Sequence, residues 1–299
     1  MENKSSSNGR RDFGHAVFYI GRTDEASSMT EEAGINIFSV QSAMINYENK
    51  LKWRITYMWA IKTTGLTKRY KNLTAVDELS LEIGQGELFA LLGVNGAGKT
   101  TAVKMLSCLT KPSEGDAEVG GYSILKNPEQ VKRLIGVSPQ ETAVAPNLSV
   151  EENLELICGI HGFNREQTET KIRELTSQFS LESVLKRKAG KLSGGWQRRV
   201  SIAMALISEP EILFLDEPTL GLDVIARYEL WEAIRALKGR VTIILTTHYM
   251  EEAEALSDRI GIMKSGKLLA AGTAEELKEK AGTADFEQAF VSIVKEGDV

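Results

Sequence analysis

Between Gly93 and Thr100 the chain reads GVNGAGKT, which fits G-x-x-x-x-G-K-[ST]. An apolar strand-like run, GELFALLG, leads into it and helix-favouring residues follow. In such a loop the backbone N–H groups of Gly93, Val94, Asn95, Gly96, Ala97 and Gly98 fold around a phosphate. Lys99 neutralises the terminal phosphates, and the Thr100 hydroxyl, with Thr101 beside it, faces a bound Mg²⁺ at the helix start. A second group lies in ILFLDEP. Asp216 and Glu217 end an apolar strand there, at the sheet edge where ligands bind. Asp216 suits the metal and Glu217 suits orienting or deprotonating an attacking water. His248 ends the strand pattern VTIILTT on the same edge; a lone histidine is usually structural, but this placement favours a phosphate contact. Gln140 ends IGVS on that edge as well, and its amide could reach the metal's water shell or serve only the local fold. Tyr70 could stack on a base or stand as an ordinary surface tyrosine. LSGGWQRR raises a further question: Ser193, Gly194 and Gly195 open a helix with bare backbone, which makes a second anion site in a chain that already has one.

The elements that must position these residues follow from periodicity. IKTTGLTKRY and TAVDELSLEI read as two strands around a turn at KN. A helix is expected over Lys99–Leu109, with Val103, Leu106 and Leu109 facing a core. From Ser149 the pattern turns helical, with Ser149 and Glu152 as a capping box and Val150, Leu154 and Ile157 on one face. A second helix is expected over Arg165–Phe179 and a third short one near Leu181–Lys188. A long helix after LSGG includes SIAMALISEP. Then come EILFLDEP, a helix through Leu230, Ile234 and Leu237, VTIILTTH, a helix from MEEAEAL, and the closing strands RIGIMKSG and KLLAAG. Strands alternating with helices predict an α/β fold with a parallel sheet covered on both faces. The strand-poor block at about 141–190 predicts a helical lobe inserted into it.

Composition narrows the class. The 299 residues carry a net charge of −5, which argues against a nucleic-acid partner by bulk electrostatics. The two cysteines, Cys108 and Cys158, lie in apolar helical patterns without CxxC spacing and are expected as buried free thiols. Apolar runs such as ILFL and VTIIL fall far short of the roughly 18 residues of a membrane span. A chain without a span is expected to be cytoplasmic and to meet a membrane only through a partner. Residues 1–59 lack a clean period and are expected as a dispensable extension, either disordered or upstream of a natural start at Met58.

Taken together, these residues resemble the nucleotide-binding subunit of an ATP-binding-cassette (ABC) transporter. The resemblance covers about Ala60 to Gly282, with 283–299 as a C-terminal tail. Tyr70, the phosphate loop, Gln140, LSGG, FLDEPTLGLD and His248 stand in the family's order. Val94 replaces a common proline and Trp196 a common glutamine. The resemblance implies a P-loop NTPase core with a mainly parallel sheet, an antiparallel β subdomain and a helical lobe. It implies ATP and Mg²⁺ as ligands, with Thr100, Gln140 and Asp216 at the metal and Glu217 and His248 in hydrolysis. Two cassettes, identical or paired, would close head to tail, so that Ser193, Gly194 and Gly195 bind ATP held by the partner and Asp223 of GLD lies at the interface. A separate membrane permease would dock on the helical lobe. LTTHYMEEAE and the tail are similar to drug- and antibiotic-export cassettes. A small-solute importer and a soluble ATPase acting on nucleic acid or ribosomes are the alternatives. The absence of a heptad run between Gly98 and Ser193 speaks against the chromosome type, and the absence of N-K-x-D speaks against a GTPase.

Overall fold

The computed structural model describes residues 59–297. Of the expected extension 1–59, all but Trp59 lies outside the described residues. Two sheets organise the rest. The first is antiparallel, in the order β2-β1-β4-β5: β1 Trp59–Tyr70, β2 Leu73–Gly84, β4 Glu114–Val119 and β5 Tyr122–Ser123. The second has the order β10-β9-β3-β8-β7-β6. Here β3 Leu88–Leu92, β6 Ile135–Ser138, β7 Ile212–Asp216, β8 Thr242–Thr247 and β9 Arg259–Lys264 run parallel, and β10 Lys267–Gly272 closes one edge as an antiparallel hairpin with β9.

Strands β3, β7 and β8 are buried along their whole length, as expected for parallel strands covered on both faces. Their residues divide by the two-residue period of a strand. Leu213, Leu215, Ile243 and Leu245 face a core shared with the helical lobe. Ile212, Phe214 and Ile244 face a second core beneath the antiparallel sheet. A third core lies under β9 and β10. It is covered by α8, Ala274–Ala281, and by α9, Phe286–Glu296, whose buried Phe286, Phe290 and Ile293 lie in the stretch read from sequence as a tail.

The first helix, α1, is Lys99–Leu106, shorter than expected. Cys108 has a positive φ of 59°, which ends the helix and leaves Leu109 at 68% exposure instead of in the core. Cys108 is half-buried, so only Cys158 is the buried thiol expected of both. The next helix, α2, Pro128–Leu134, has proline at its first position. The helical lobe contains α3, Val150–Ile160, and α4, Arg165–Gln178. The Ser149–Glu152 capping box is present with both bonds, and Asn164 and Gln167 form another. The expected third helix is only a 3₁₀ turn at Glu182–Val184. The helix after LSGG, α5, runs Gly194–Leu206, and the residues SEP lie beyond its end. Glu209 takes a φ of 51° and Pro210 follows, which no α-helix continues through. Between α5 and α8 lie α6, Val224–Arg235, and α7, Met250–Leu256.

Strands β4 and β5 are additions to the sequence reading. EGDAEV has no run of branched apolar residues, but Gly120 and Gly121, with φ of 58° and 77°, form the two-residue turn that pairs it with Tyr122–Ser123.

Candidate functional site

Strand register brings the chemistry together. Leu92 pairs with Thr247, Asp216 with Thr246, and Ser138 with Leu215, so β3, β8, β7 and β6 finish on one edge. The loop after β3 is thereby set beside Asp216, Glu217 and His248. A cavity of about 650 Å³ opens there. Its lining includes Asn95–Thr101, Gln140, Glu217 and His248, with Leu73–Ala75 and Ser265 on its walls.

The phosphate-type loop is tightly seated. Gly93 lies so close to β9 that a Cβ would meet the Met263 carbonyl oxygen at 2.3 Å. Gly98 has a φ of 103°, and a Cβ there would meet the Ala75 carbonyl at 2.4 Å. Lys99 is 4% exposed. Its Nζ donates to the carbonyls of Gly93 at 2.7 Å and Val94 at 3.3 Å and lies 3.3 Å from Glu217 Oε1. Helix α1 starts without a side-chain cap and without an acid in its first turn, so its N–H groups and dipole are left to an anion.

Asp216 Oδ1 accepts from Thr100 Oγ1 at 3.0 Å and from the Thr246 hydroxyl. Glu217 has a φ of 47°, a strained conformation for a glutamate, held because its N–H donates to Thr246 Oγ1 at 3.0 Å. Its Oε2 lies 2.8 Å from His248 Nδ1, and the Tyr249 ring lies tilted by 39° against the His248 ring, with centroids 4.1 Å apart. Lys99, Glu217 and His248 thus form one connected chain of contacts. Thr246, which supports both carboxylates, was not singled out from sequence; its place at the end of an apolar strand opposite DE is the signal that could have found it.

Not every expected residue reaches this cavity. Tyr70 ends β1 at 45% exposure with Lys68 Nζ 5.0 Å from its ring centroid, and it does not line the cavity. Ser193, Gly194, Gly195 and Asp223 do not line it either. Ser193 and Gly194 are exposed, and the Ser193 side chain caps nothing. Asp223 accepts from Ala226 N at 2.9 Å as the N-cap of α6. Gly195 lets α5 approach α6, because a Cβ would lie 3.2 Å from that of Ala226. Trp196 packs at the edge of the helical core beneath the Arg199 guanidinium, 4.9 Å from its ring centroid.

Two buried charged groups lie behind these elements and were not singled out from sequence. Glu252 on α7 is fully buried, and its Oε1 accepts from Thr219 Oγ1 at 2.7 Å and Trp231 Nε1 at 3.1 Å. Burial pushes its carboxyl above the ordinary range, against the pull of these donors and of Arg227. Arg198 on α5 is 4% exposed and donates to the carbonyls of Pro139 and Gln140. Burial draws its guanidinium below the usual range, opposed by the carboxylates of Asp216 and Glu252.

Residues 76–220 match the family model described as ABC transporter. The doxorubicin resistance ATP-binding protein DrrA of Mycobacterium tuberculosis is 43% identical over 226 residues, spanning 75% of this chain and 68% of that protein. This chain belongs to the ABC transporter family. The probable multidrug ABC transporter ATP-binding protein YbhF of Escherichia coli is 37% identical over 245 residues, spanning 80% of the cassette chain and 42% of its own length. A solved ATP-binding subunit of an ABC transporter superposes with a TM-score of 0.70 at 29% identity, covering 78% of this chain and 99% of the other. The dimeric post-hydrolysis cassette MJ0796, bound to ADP and phosphate, gives 0.65 at 28% identity, covering 71% and 98%. The chain is an ATP-binding cassette ATPase with the P-loop NTPase fold, and cassettes of this family pair with one another and with membrane components. The relatives favour the transport reading over a nucleic-acid ATPase or an importer. Among the described residues no helix is long and apolar enough to cross a membrane.

Proposed function

We propose that the chain powers export of a hydrophobic drug-like compound through a separate permease at the cytoplasmic face of a membrane, with ATP bound at the cavity above β3. Its relatives named for doxorubicin and daunorubicin resistance support this substrate class. In this reading the loop Gly93–Gly98 and Lys99 hold the phosphates and Thr101 lies beside them. Tyr70 stands at the base end, close along the chain to the lining residues Leu73–Ala75. Mg²⁺ fits the donor set: among the described residues no three His, Cys, Asp or Glu side chains gather to hold a metal alone, and Mg²⁺ ordinarily takes one or two protein groups together with phosphates and water. Thr100, Asp216 and Gln140 would hold it, and it would neutralise charge on the terminal phosphates.

Glu217 then orients the attacking water and accepts its proton at Oε1 or Oε2. His248, already bonded to Glu217, fixes that carboxylate and faces the terminal phosphate. The observation that carries the paired reading is the start of α5: its serine and first glycine are exposed, uncapped and outside the chain's own cavity. In a head-to-tail pair the partner's Ser193, Gly194 and Gly195 complete the ATP site, with Asp223 and the exposed Val224 and Ile225 beside the seam. The helical lobe meets the permease and carries the motion.

Glu217→Gln tests this. The amide keeps the shape but cannot take the proton, so turnover should stop while ATP and Mg²⁺ produce a long-lived dimer in gel filtration. A variant that stays monomeric at high protein concentration contradicts the paired site.

A further inference from the structure

Helix α5 carries the signature serine at one end and lies along the Gln140 segment at its side. Four contacts run in register between them. A Cβ on Gly136 would meet the Ala205 carbonyl at 2.2 Å, so strand β6 is pressed against the helix backbone. Ser138 Oγ and Ser201 Oγ are hydrogen-bonded at 2.9 Å in a buried position. Arg198 Nη1 donates to Pro139 O and Nη2 to Gln140 O, each at 2.5 Å. Thr142 Oγ1 donates to Gln197 Oε1 at 3.4 Å. Residues 197, 201 and 205 are spaced by four and so share one helix face, and they meet 142, 138 and 136 in reverse order.

Arg198 is the strongest of these links. A planar guanidinium can grip two adjacent carbonyls with two parallel donors, whereas a lysine offers one point charge. Both contacts are to backbone, which leaves the Gln140 side chain free to line the cavity. A buried cation that leaves this geometry would lose both carbonyls at once, so the segment and the helix are held to move together.

We propose that Arg198 is a positioning residue that locks the Gln140 backbone to the helix bearing Ser193, so that nucleotide at this chain's own site resets the signature offered to the other chain. This rests on the paired-site reading of the proposed function. It makes the two sites of a dimer communicate through one side chain in each cassette, from Gln140 at one nucleotide to Ser193 at the other.

The test uses the full chain at high protein concentration, with steady-state hydrolysis measured across ATP concentrations in Mg²⁺ for wild type, Arg198→Lys and Arg198→Met. Nucleotide affinity is measured separately at low protein concentration. Wild type should be sigmoidal, with a Hill coefficient above 1 and a ceiling of about 2 for two sites. Arg198→Met should fall to a Hill coefficient of about 1, with kcat lowered about tenfold and low-concentration affinity changed less than about twofold. Arg198→Lys should lie between them, because one donor is kept. The shape of the curve does not depend on the fraction of folded protein, so a merely structural arginine would lower the maximal rate and leave the Hill coefficient unchanged. A cooperative Arg198→Met variant overturns the proposal. If that variant does not fold, Arg198→Lys decides, and a wild-type Hill coefficient in it is equally contrary. A wild type that is itself hyperbolic overturns this proposal, because its two sites would then be independent; the paired-site reading it rests on fails separately, if Glu217→Gln stays monomeric with ATP and Mg²⁺.

Discussion

The cassette has two glycine-marked helix starts, and they are built differently. At α1, Gly98 is required by its own chain: its φ is 103°, and a Cβ would strike the Ala75 carbonyl. Lys99 next to it is buried among loop carbonyls and Glu217. At α5, Ser193 is in ordinary extended backbone, exposed and without a cap bond. A Cβ on Gly194 would meet nothing closer than Leu222 at 3.8 Å. The first glycine is there for the fold. The second is not demanded by any contact within 3.8 Å in the described residues, and in the function proposed above it leaves the helix N–H groups open to an outside anion. In that proposal one site is furnished from within, and the other offers half of a site.

The largest expected effect falls on the furnished site. Lys99→Ala should weaken Mg·ATP binding by about 100-fold, the scale of one or two lost charge-assisted bonds. Calorimetric titration would show this, and a change below about threefold would place the phosphates elsewhere. The contrast between the glycines sharpens the point. Gly98→Ala should cost about 2–3 kcal/mol in denaturant unfolding, because a side chain is forced to positive φ against a carbonyl. Gly194→Ala should stay within about 0.5 kcal/mol of wild type, yet lose the ATP-dependent dimer. Equal stability costs at the two positions would erase the comparison.

The contrast also explains how far the site was legible. A phosphate loop, a strand ending in Asp-Glu and a strand ending in histidine each show their chemistry in a few adjacent residues. The capping box at Ser149 and Glu152 did so too, and is present. What was not legible depends on contacts across the fold. Arg198 and Glu252 sit in helices where a charged residue ordinarily faces water, and only the carbonyls of Pro139 and Gln140, or the donors of Thr219 and Trp231, show why they are inside. Leu109 fitted the helical period, but Cys108 turns the chain before the period can be used. Strand β4 has no apolar run and owes its existence to β1, with which it pairs from Ile61↔Val119 to Thr67↔Glu114.

Two smaller predictions concern the supports of each region. On the lobe that adjoins the signature helix, Asn153 is fully buried. Its Oδ1 accepts from Ala145 N at 2.7 Å, while its Nδ2 donates to Ala145 O at 3.1 Å and Ser149 O at 2.8 Å. Asn153→Ala strands these backbone groups and should cost about 2 kcal/mol in urea unfolding. No loss would mean that the loop Ala145–Ser149 is held by other contacts. On the furnished side, Glu252→Gln should have an effect that depends on pH. Burial raises the Glu252 carboxyl in the folded chain above its ordinary 4.5. Its stabilising contribution is therefore complete below that ordinary value and is lost as pH rises through the raised one. Glutamine does not ionise, so the urea midpoint of the variant should gain on wild type between pH 5 and pH 8. A gap that closes in the opposite direction contradicts the assignment of burial as the dominant influence.

Whether α5 serves another chain's nucleotide is tested most directly by mixing two damaged cassettes. One carries Lys99→Ala and the other Ser193→Arg, both with Glu217→Gln to stop turnover. In a mixed dimer one site collects both lesions and the other is assembled from two undamaged halves. Counting nucleotide retained by purified, differently tagged mixed dimers should give one trapped ATP per dimer, with neither parent homodimer retaining any. Mixed dimers that form and trap no more than the parents would show that each site is completed by its own chain, contrary to the shared site assigned to α5.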